Sequence, residues 1–240
     1  MKANDNRARL REEGVVVLRT AIPLEILRPL RRAAEACFAA VDPIQQVLVS
    51  PTGVSYGFSP FSHSVLLKAL VEFGLDSHED LVAPLSTEGL SELLADAMGE
   101  PVTCRQEESW VRKRFAPRNA RRPYQPNVWH QDGGLGVAFT PDRDAALPMT
   151  RLLTCWVPLQ SCGRESPGLE FVRRGPESLL HYTQLDDVTL RQHFSPDQFW
   201  APELQFGDLV VFLARSLHRT YVTPDMTEDR LSVEYRFFPP

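Results

Sequence analysis

The sequence predicts one domain over residues 1–240, a jelly-roll barrel of antiparallel strands with helices packed against one sheet. Two observations favour this class. Residues up to about 100 carry mainly helical patterns, whereas short apolar runs bounded by Gly, Pro and Asp recur from Pro101 onward. A length of 240 residues fits one large domain. We therefore expect a helical part over about 20–100 and a β core over about 101–240.

The amino-terminal part opens with a short strand, because Gly14–Leu18 contains a β-branched run typical of a buried strand. The apolar positions after Pro23 then follow helical spacing. These positions are Leu27, Leu30, Ala34 and Phe38. Pro29 lies inside the pattern, so this helix is expected either to begin or to bend there.

Two further helices are predicted before the β core. One covers about Val65–Phe73, and the next carries apolar residues at helical spacing. The residues of that second helix are Leu90, Leu93, Leu94 and Met98. Ser86 is a candidate amino-terminal cap for it, and Gly99 is a candidate stop.

The β core is predicted from five apolar runs and one helical interruption. The runs are Val102–Phe115, Leu152–Leu159, Leu169–Val172, Leu209–Leu213 and Leu231–Phe238. A polar helix is expected near Leu185–Phe194. The proline-rich stretch Pro117–Pro126 is interpreted as a surface loop.

Composition excludes some functional classes. With 31 acidic and 26 basic residues the net charge is −5, which argues against nucleic acid as the main partner. No run of about 18 apolar residues exists, so no membrane span is predicted. The four cysteines form no C-x-x-C pair and the first residues are polar. Free thiols in the cytoplasm are the expectation.

The central motif is His130-Gln131-Asp132, which follows Trp129 and precedes two glycines. If His130 and Asp132 lie on a strand, its period of two points both side chains to one face. One imidazole and one carboxylate together are two thirds of a facial metal triad. A second histidine is needed to complete it.

The same H-x-D pattern occurs once more, as His78-Glu79-Asp80. That copy lies in a charged context with no strand around it. We interpret His78 and Asp80 as solvated surface groups, since a short motif of this kind often arises by chance.

The downstream half of the sequence distinguishes the His130 motif from the other copy. A tight turn and a buried strand over Phe206–Phe212 lead to His218. Arg230 and Ser232 follow on the last strand at positions i and i+2, so they face the same way. Together they could hold one carboxylate by a bidentate guanidinium and a hydroxyl.

These motifs resemble those of the phytanoyl-CoA dioxygenase family, over about Leu10–Pro240. The resemblance implies a double-stranded β-helix, Fe(II), and 2-oxoglutarate and O₂ as cosubstrates. It makes His130, Asp132 and His218 the metal ligands and Arg230 the anchor for the distal carboxylate of 2-oxoglutarate. It also places four residues near the cosubstrate: Thr220, Ser232, Trp156 and Gln131. A Pro-Gly-Ser-His segment common in the family is missing after Trp156-Val157-Pro158-Leu159, so substrate contacts do not carry over.

Several neighbouring residues have a second interpretation. Arg236 has the strand parity of Arg230 but is expected to pair with an acid such as Glu234. Arg112 could meet a carboxylate or, as favoured here, lie on a solvated basic face. Trp156 could simply fill the core. An aromatic segment could form a lid over the site or a loop packed on the core; its residues are Tyr56, Phe58, Phe61 and His63.

The resemblance implies hydroxylation of an unactivated C–H bond in a small molecule, with release of succinate and CO₂. A carboxylate at position 132 leaves no ligand site for chloride, so halogenation is not expected. A metal-dependent cupin-type isomerase or lyase would need the triad but not Arg230. A non-catalytic ligand-binding jelly roll would need no metal, and a nucleic-acid dealkylase disagrees with the charge. The substrate, for example a secondary metabolite, and the oligomeric state are not predicted.

Overall fold

The computed structural model describes residues 3–42, 56–75, 77–122, 129–134 and 149–240. The helices in this part of the chain are α1 (Ala3–Glu13), α2 (Leu24–Val41), α3 (His78–Val82), α4 (Leu90–Met98) and α5 (Asp187–His193). The strands are β1 (Val15–Leu18), β2 (Tyr56–Phe58), β3 (Ser62–Leu66), β4 (Thr103–Cys104), β5 (Trp110–Arg114), β6 (Leu153–Pro158), β7 (Gly168–Val172), β8 (Phe199–Trp200), β9 (Leu209–Leu213), β10 (His218–Tyr221) and β11 (Arg230–Phe238).

The strands form two antiparallel sheets. The major sheet has the order β1-β9-β6-β11-β5-β3-β2, with β4 paired to the end of β11. The minor sheet has the order β10-β7-β8. Strands far apart in the chain are neighbours in both sheets, as the crossing connections of a jelly roll require. The predicted double-stranded β-helix with flanking helices is confirmed.

The central strand β11 separates a hydrophobic layer from a polar interior. Alternate side chains point to opposite faces of a strand. One face joins the core beneath the helices and consists of Leu231, Val233, Tyr235 and Phe237. The other face carries Arg230, Ser232, Glu234 and Arg236, all largely buried from solvent. The helical layer therefore supplies apolar packing on one side of the sheet, which leaves the inner face available for chemistry.

Helix α2 is the main helix of that layer. It begins at Leu24, directly after Pro23, and continues through Pro29, so the alternative that it begins at Pro29 is wrong. Proline lacks an N–H, and the carbonyl that loses its helical partner belongs to Glu25. Glu25 lies in the exposed first turn, where water can satisfy that carbonyl.

Two of the helix predictions need correction. The helix predicted over Val65–Phe73 begins only at Leu67, as a 3-10 helix, because residues 62–66 form β3 and pair with β5. Helix α4 is preceded by Gly89 in the left-handed region, at φ +71°, and Ser86 does not cap it. The predicted stop at Gly99 is confirmed, with φ +82° and an N–H that donates to the Ala95 carbonyl.

Helix α1 was not predicted. Its sequence is polar over most of its length, so apolar periodicity gives little signal. It packs against β1 and α4 and buries Leu10. Tertiary contacts, rather than an amphipathic pattern, therefore specify this helix.

The strand predictions agree with the structure, with the run Val102–Phe115 divided into β4 and β5. The polar interruption near Leu185–Phe194 contains α5, which Asp186 caps through the backbone N–H groups of Val188 and Thr189. In the proline-rich stretch, residues 117–122 form an exposed or partly exposed turn. Residues 123–126 lie outside the described residues.

The predictions of no membrane span and of free cysteine thiols can be compared with the described residues. No helix among them is long and apolar enough to cross a membrane. The four cysteines are free thiols. Burial raises the pKa of Cys37 and of Cys162 to about 12, so both are held protonated and poorly nucleophilic.

The turn before β9 is fixed by Asp208. Its Oδ2 accepts bonds from the Gln205 N–H at 2.9 Å and from Arg19 Nη1 at 2.7 Å, and its Oδ1 accepts from the Thr20 N–H at 2.9 Å. Gly207 precedes it at φ +108°, a conformation that favours glycine. The Gly-Asp pair thus has a structural role: it joins the end of β1 to the start of β9.

Replacing Asp208 by alanine should lower the free energy of unfolding by about 2–4 kcal/mol, because a buried carboxylate with three donors is lost. The exposed Asp225 provides a matched control, and Asp225→Ala should change stability by less than about 0.5 kcal/mol. Urea unfolding measures both values. Equal stability of the two variants would contradict the role assigned to Asp208.

Candidate metal centre and cavity

A cavity of about 290 Å³ lies between the two sheets, lined by residues of β5, β6, β9 and β11 from the major sheet and of β7 and β10 from the minor one. Its lining is strongly charged. The arginines are Arg112, Arg114, Arg219, Arg230 and Arg236. Two carboxylates, Asp132 and Glu234, and two histidines, His130 and His218, also line it. Such a lining suits anionic ligands and a metal ion better than an apolar ligand.

The side chains of His130, Asp132 and His218 converge in this cavity. One donor atom from each lies within 4.8 Å of the others. Asp132 Oδ1 is 3.9 Å from His130 Nε2 and 3.7 Å from His218 Nε2. Ligand atoms held about 2.1 Å from one metal ion at right angles are about 3.0 Å apart. A small closure of the three side chains therefore suffices to fit an ion, and the donor set suits non-haem iron.

The backbone brings these residues together in a way that differs from the prediction. His130 and Asp132 do not lie on a strand: His130 forms a single antiparallel bridge with His218, and Asp132 begins a 3-10 turn over Asp132–Gly134. The bridge consists of two reciprocal N–H to carbonyl bonds of 3.0 Å, and the imidazole centroids are 4.3 Å apart. Direct backbone pairing and a tight turn, rather than strand periodicity, create the convergence.

The turn after His130 requires glycine at position 133. A Cβ atom there would lie 2.5 Å from Met149 Cγ and 3.1 Å from the Ala214 carbonyl oxygen. The Gly133 N–H also donates to that carbonyl at 2.9 Å. Close approach of the two backbones therefore fixes the position from which the Asp132 side chain projects.

Two outer hydrogen bonds orient the triad. Thr154 Oγ1 donates to Asp132 Oδ2 at 2.7 Å, which leaves Oδ1 facing the two imidazoles. His218 Nδ1 donates to the Ser216 carbonyl at 2.9 Å, so its Nε2 presents a lone pair to the cavity. Thr154 was missed in the sequence, although it shares the strand parity of Trp156 on β6.

Residues expected near the cosubstrate gather at the other end of the cavity. Arg230 is buried, its guanidinium carbon lies 4.9 Å from the Trp156 ring centroid, and its Nη1 donates to the Gly168 carbonyl at 3.2 Å. Ser232 lies on the same face of β11, and its buried Oγ has no hydrogen-bond partner among the described residues. Arg230, Thr220 and Trp156 line the cavity, and Ser232 lies two residues from Arg230 on the same strand face but is not among the lining residues.

Gln131, also expected near the cosubstrate, makes its side-chain hydrogen bonds with the surrounding protein. Its side chain does not line the cavity. Its Nε2 donates to the carbonyls of Ser178 and Arg215, and its Oε1 accepts from the Leu180 N–H. These three bonds hold the Gln131 side chain in the surrounding protein, while its two neighbours face the cavity. Gln131 therefore has a structural role here.

Arg112, Glu234 and Arg236 form a buried ion-pair network in the cavity wall. Arg236 Nη2 donates to Glu234 Oε1 at 2.7 Å, which confirms the expected pairing. Arg112 Nε donates to Glu234 Oε2 at 3.0 Å while its side chain stays 33% exposed, so the alternative that Arg112 meets a carboxylate is the one observed. Burial raises the pKa of Glu234, but the charges of Arg112 and Arg236 outweigh it and lower the pKa to about 2.

The competing motif lies outside the cavity lining. His78 is exposed at the start of α3, and Asp80 accepts bonds from the Ser77 N–H and Oγ as part of a helix cap. His78 and Asp80 belong to no described cluster of possible metal ligands. This placement agrees with their interpretation as surface groups.

The aromatic segment proposed as a lid is only partly described. His63 is fully buried and its Nδ1 lies 2.6 Å from Asp42 Oδ1, which favours packing on the core for this residue. The Phe61 ring lies 5.9 Å from the guanidinium of the cavity residue Arg114. The side chains of Tyr56 and Phe58 lie outside the described residues.

A second cavity of about 490 Å³ adjoins the first one. The two share Asp132 and Arg236 as lining residues. The second cavity is otherwise lined by residues near the ends of β4, β6 and β11, including Arg105, Arg151 and Phe238. Asp132 therefore borders both spaces, whereas His130 and His218 line only the first.

Comparison with solved structures identifies the fold, whereas no protein-family model and no curated protein matches the sequence. The non-haem α-ketoglutarate-dependent epimerase SnoN from nogalamycin biosynthesis superposes with a TM-score of 0.63 at 18% identity, over 98% of this chain and 82% of SnoN. EctD from S. alaskensis gives 0.64 at 15% identity, over 99% and 77%. The α-ketoglutarate-dependent carbocyclase SnoK gives 0.60 at 16% identity, over 99% and 86%. The chain thus has the fold of these non-haem iron enzymes, which is consistent with the resemblance to the phytanoyl-CoA dioxygenase family.

The structural role of Gln131 can be tested by substitution. Gln131→Leu should lower the free energy of unfolding by about 2–4 kcal/mol, because three backbone groups lose a partner in a largely buried place. Gln192→Leu on the exposed face of α5 is the control, with an expected change below about 0.5 kcal/mol. Chemical denaturation followed by circular dichroism measures both. A Gln131→Leu variant as stable as wild type would show that these bonds contribute little.

Proposed function

We propose that this protein is an Fe(II)- and 2-oxoglutarate-dependent dioxygenase that hydroxylates an unactivated C–H bond of a small-molecule metabolite. The observation that carries the proposal is the placement of the His130–Asp132–His218 triad and Arg230 in the lining of one charged cavity. Fe(II) is the proposed metal, and 2-oxoglutarate and O₂ are the proposed cosubstrates. Solved neighbours with this fold were crystallised with Fe and 2-oxoglutarate, which supports this choice.

In this proposal His130 Nε2, Asp132 Oδ1 and His218 Nε2 hold the iron. Three protein ligands would leave part of the coordination shell of the metal open to 2-oxoglutarate and O₂. Iron in this setting supplies an oxidant strong enough to attack an unactivated C–H bond, with release of succinate and CO₂. Thr154 leaves only Asp132 Oδ1 available to the metal, because the Thr154 hydroxyl donates to Oδ2.

The distal carboxylate of 2-oxoglutarate is assigned to Arg230. This guanidinium is buried beside Trp156, where a charge-assisted bond is stronger than in water. The Ser232 hydroxyl on the same face and the Thr220 hydroxyl across the cavity supply further donors. Trp156 limits the space around the cosubstrate and excludes water from it.

The substrate is proposed to approach from the second cavity. That space shares Asp132 and Arg236 with the first, so a bound molecule there would lie beside the metal without displacing 2-oxoglutarate. SnoN was crystallised with nogalamycin RO and EctD with 5-hydroxyectoine. We infer a small-molecule substrate, such as a secondary metabolite.

Two other reactions, epimerisation and carbocycle formation, are alternatives to hydroxylation, since the neighbour SnoN is an epimerase and the neighbour SnoK a carbocyclase. All three reactions can begin at the same kind of C–H bond. Product mass separates them: hydroxylation adds one oxygen atom, cyclisation removes two hydrogen atoms and epimerisation leaves the mass unchanged. A cupin-type isomerase or lyase would consume no 2-oxoglutarate.

The proposal is tested by loading the protein anaerobically with Fe(II) and 2-oxoglutarate, adding O₂, and screening metabolites for stimulated succinate formation. A hit is then turned over under ¹⁸O₂ in bromide-rich buffer. We expect one ¹⁸O atom and no bromine in the product, because Asp132 occupies the position that a halide would need. Bromine in the product, or turnover without 2-oxoglutarate, would contradict the hydroxylase assignment.

Iron binding should depend on each member of the triad. His130→Ala, Asp132→Ala and His218→Ala should each weaken Fe(II) binding about a hundredfold or more, since even outer-sphere substitutions cost about 10–100-fold in metal affinity. His78→Ala is the control and should bind as wild type does. Anaerobic equilibrium dialysis measures the affinities, with circular dichroism to confirm the fold. An equal loss in His78→Ala would show that the wrong H-x-D motif has been chosen.

Arg230 should set the affinity for 2-oxoglutarate. Arg230→Ala should raise the dissociation constant about thirty- to a thousandfold, corresponding to about 2–4 kcal/mol for a charged bidentate bond in a buried place. Arg236→Ala should raise it much less. The constants come from anaerobic titration of the Fe(II)-loaded protein. A larger effect at Arg236 would mean that Arg236 is the anchor.

A further inference from the structure

The metal-facing oxygen of Asp132 has a second cation close to it. Arg236 Nη2 is 3.9 Å from Asp132 Oδ1, the same oxygen that faces both histidines. Both side chains are largely buried. A guanidinium and a carboxylate in such a place attract each other strongly and readily form a direct bond. That bond would engage the oxygen proposed to bind iron.

Glu234 holds the same guanidinium nitrogen from the other side. Arg236 Nη2 lies 2.7 Å from Glu234 Oε1, 1.2 Å closer than it lies to Asp132 Oδ1. Glu234 and Arg236 are two positions apart on β11, so their side chains share one face. Glu234 carries its negative charge at neutral pH, since its pKa is lowered to about 2. Asp132 and Glu234 therefore compete for one donor, and Glu234 holds it.

Glu234 is itself fixed in place. Arg112 Nε and Nη2 donate to its two carboxylate oxygens at 3.0 and 3.4 Å, and Arg112 Nη1 donates to Ser64 Oγ at 3.1 Å. These contacts connect the carboxylate to β5 and β3. Glu234 cannot follow Arg236 towards the metal site without breaking them.

We propose that Glu234 is a positioning residue that restrains Arg236 and so keeps the Asp132 carboxylate available for the metal ion. This inference rests on the proposed metal site and assigns Glu234 an influence on the affinity of that site for Fe(II). When Glu234 loses its charge, Arg236 is released, binds Asp132 and competes with the metal. Arg236 then acts as an internal competitor for the third ligand.

A simple effect of net charge makes a different prediction. Removing any carboxylate near a cation site weakens cation binding, and removing either neighbouring arginine would then restore it. Arg112 provides the matched control, since it has the same charge, lines the same cavity and bonds the same carboxylate. Among the described residues, Arg112 forms no ion pair with Asp132. A charge effect acts through both arginines, although more strongly through the nearer Arg236, whereas the restraint mechanism acts through Arg236 alone and predicts no rescue by substitution of Arg112.

The test is anaerobic Fe(II) affinity, measured by competition with a chromophoric chelator. Glu234→Gln should weaken binding about tenfold or more, as expected for the coupling of buried, contacting charges. Glu234→Gln/Arg236→Gln should bind within about threefold of wild type. Glu234→Gln/Arg112→Gln should stay as weak as Glu234→Gln.

Three outcomes would overturn the proposal: unchanged affinity in Glu234→Gln, equal rescue by both arginine substitutions, or rescue by neither. If Glu234→Gln does not fold, Arg236→Gln and Arg112→Gln decide, because the Glu234 carboxylate stays paired in both. Arg236→Gln should then bind Fe(II) more tightly than Arg112→Gln, and the reverse order would overturn the proposal. Failure of the metal site itself is distinguishable, since wild type would then show no Fe(II) binding that depends on His130.

Discussion

The two reciprocal backbone hydrogen bonds between His130 and His218 are the interaction on which the rest of the site depends. They join a loop to the first residue of β10 and so bring together two imidazoles from distant parts of the chain. The turn at Asp132, which Gly133 permits, then adds a carboxylate at a fixed distance. Because backbone groups form the bridge, the geometry survives changes in the surrounding side chains. Thr154 and the Ser216 carbonyl only refine the orientation of groups that the backbone has already placed.

Strand β11 has an apolar outer face and a charged inner face, and this arrangement explains how a buried cavity can contain so many charges. Burying a charge is costly unless it is paired. The outer face of the strand contributes to the large apolar core that includes α2. On the inner face Glu234 neutralises part of the charge of Arg112 and Arg236. Arg230 lies beside Trp156 and donates to the Gly168 carbonyl.

Seven of the strands could be predicted from the sequence because they are short apolar runs with clear boundaries, whereas α1, β2, β3, β8 and β10 could not. The motif spacing identified His130, Asp132, His218 and Arg230 as candidates. Local conformation was predicted less well. The pairing of β3 with β5 overrides the helical pattern at residues 65–66, and the backbone bridge replaces the predicted strand at His130 and Asp132. Thr154 and the orientation of Gln131 depend on which strands and loops are neighbours, which spacing along one chain does not specify.

The central claim is that the triad and Arg230 together bind iron and 2-oxoglutarate as one unit. Anaerobic titration of the wild-type protein, followed by visible absorption, tests it most directly, since a 2-oxoglutarate chelated to Fe(II) produces a metal-to-ligand charge-transfer band. The band should appear only when both components are present and should saturate at one 2-oxoglutarate per iron. Absence of the band with iron bound, or 2-oxoglutarate binding that is equally tight without iron, would contradict the account.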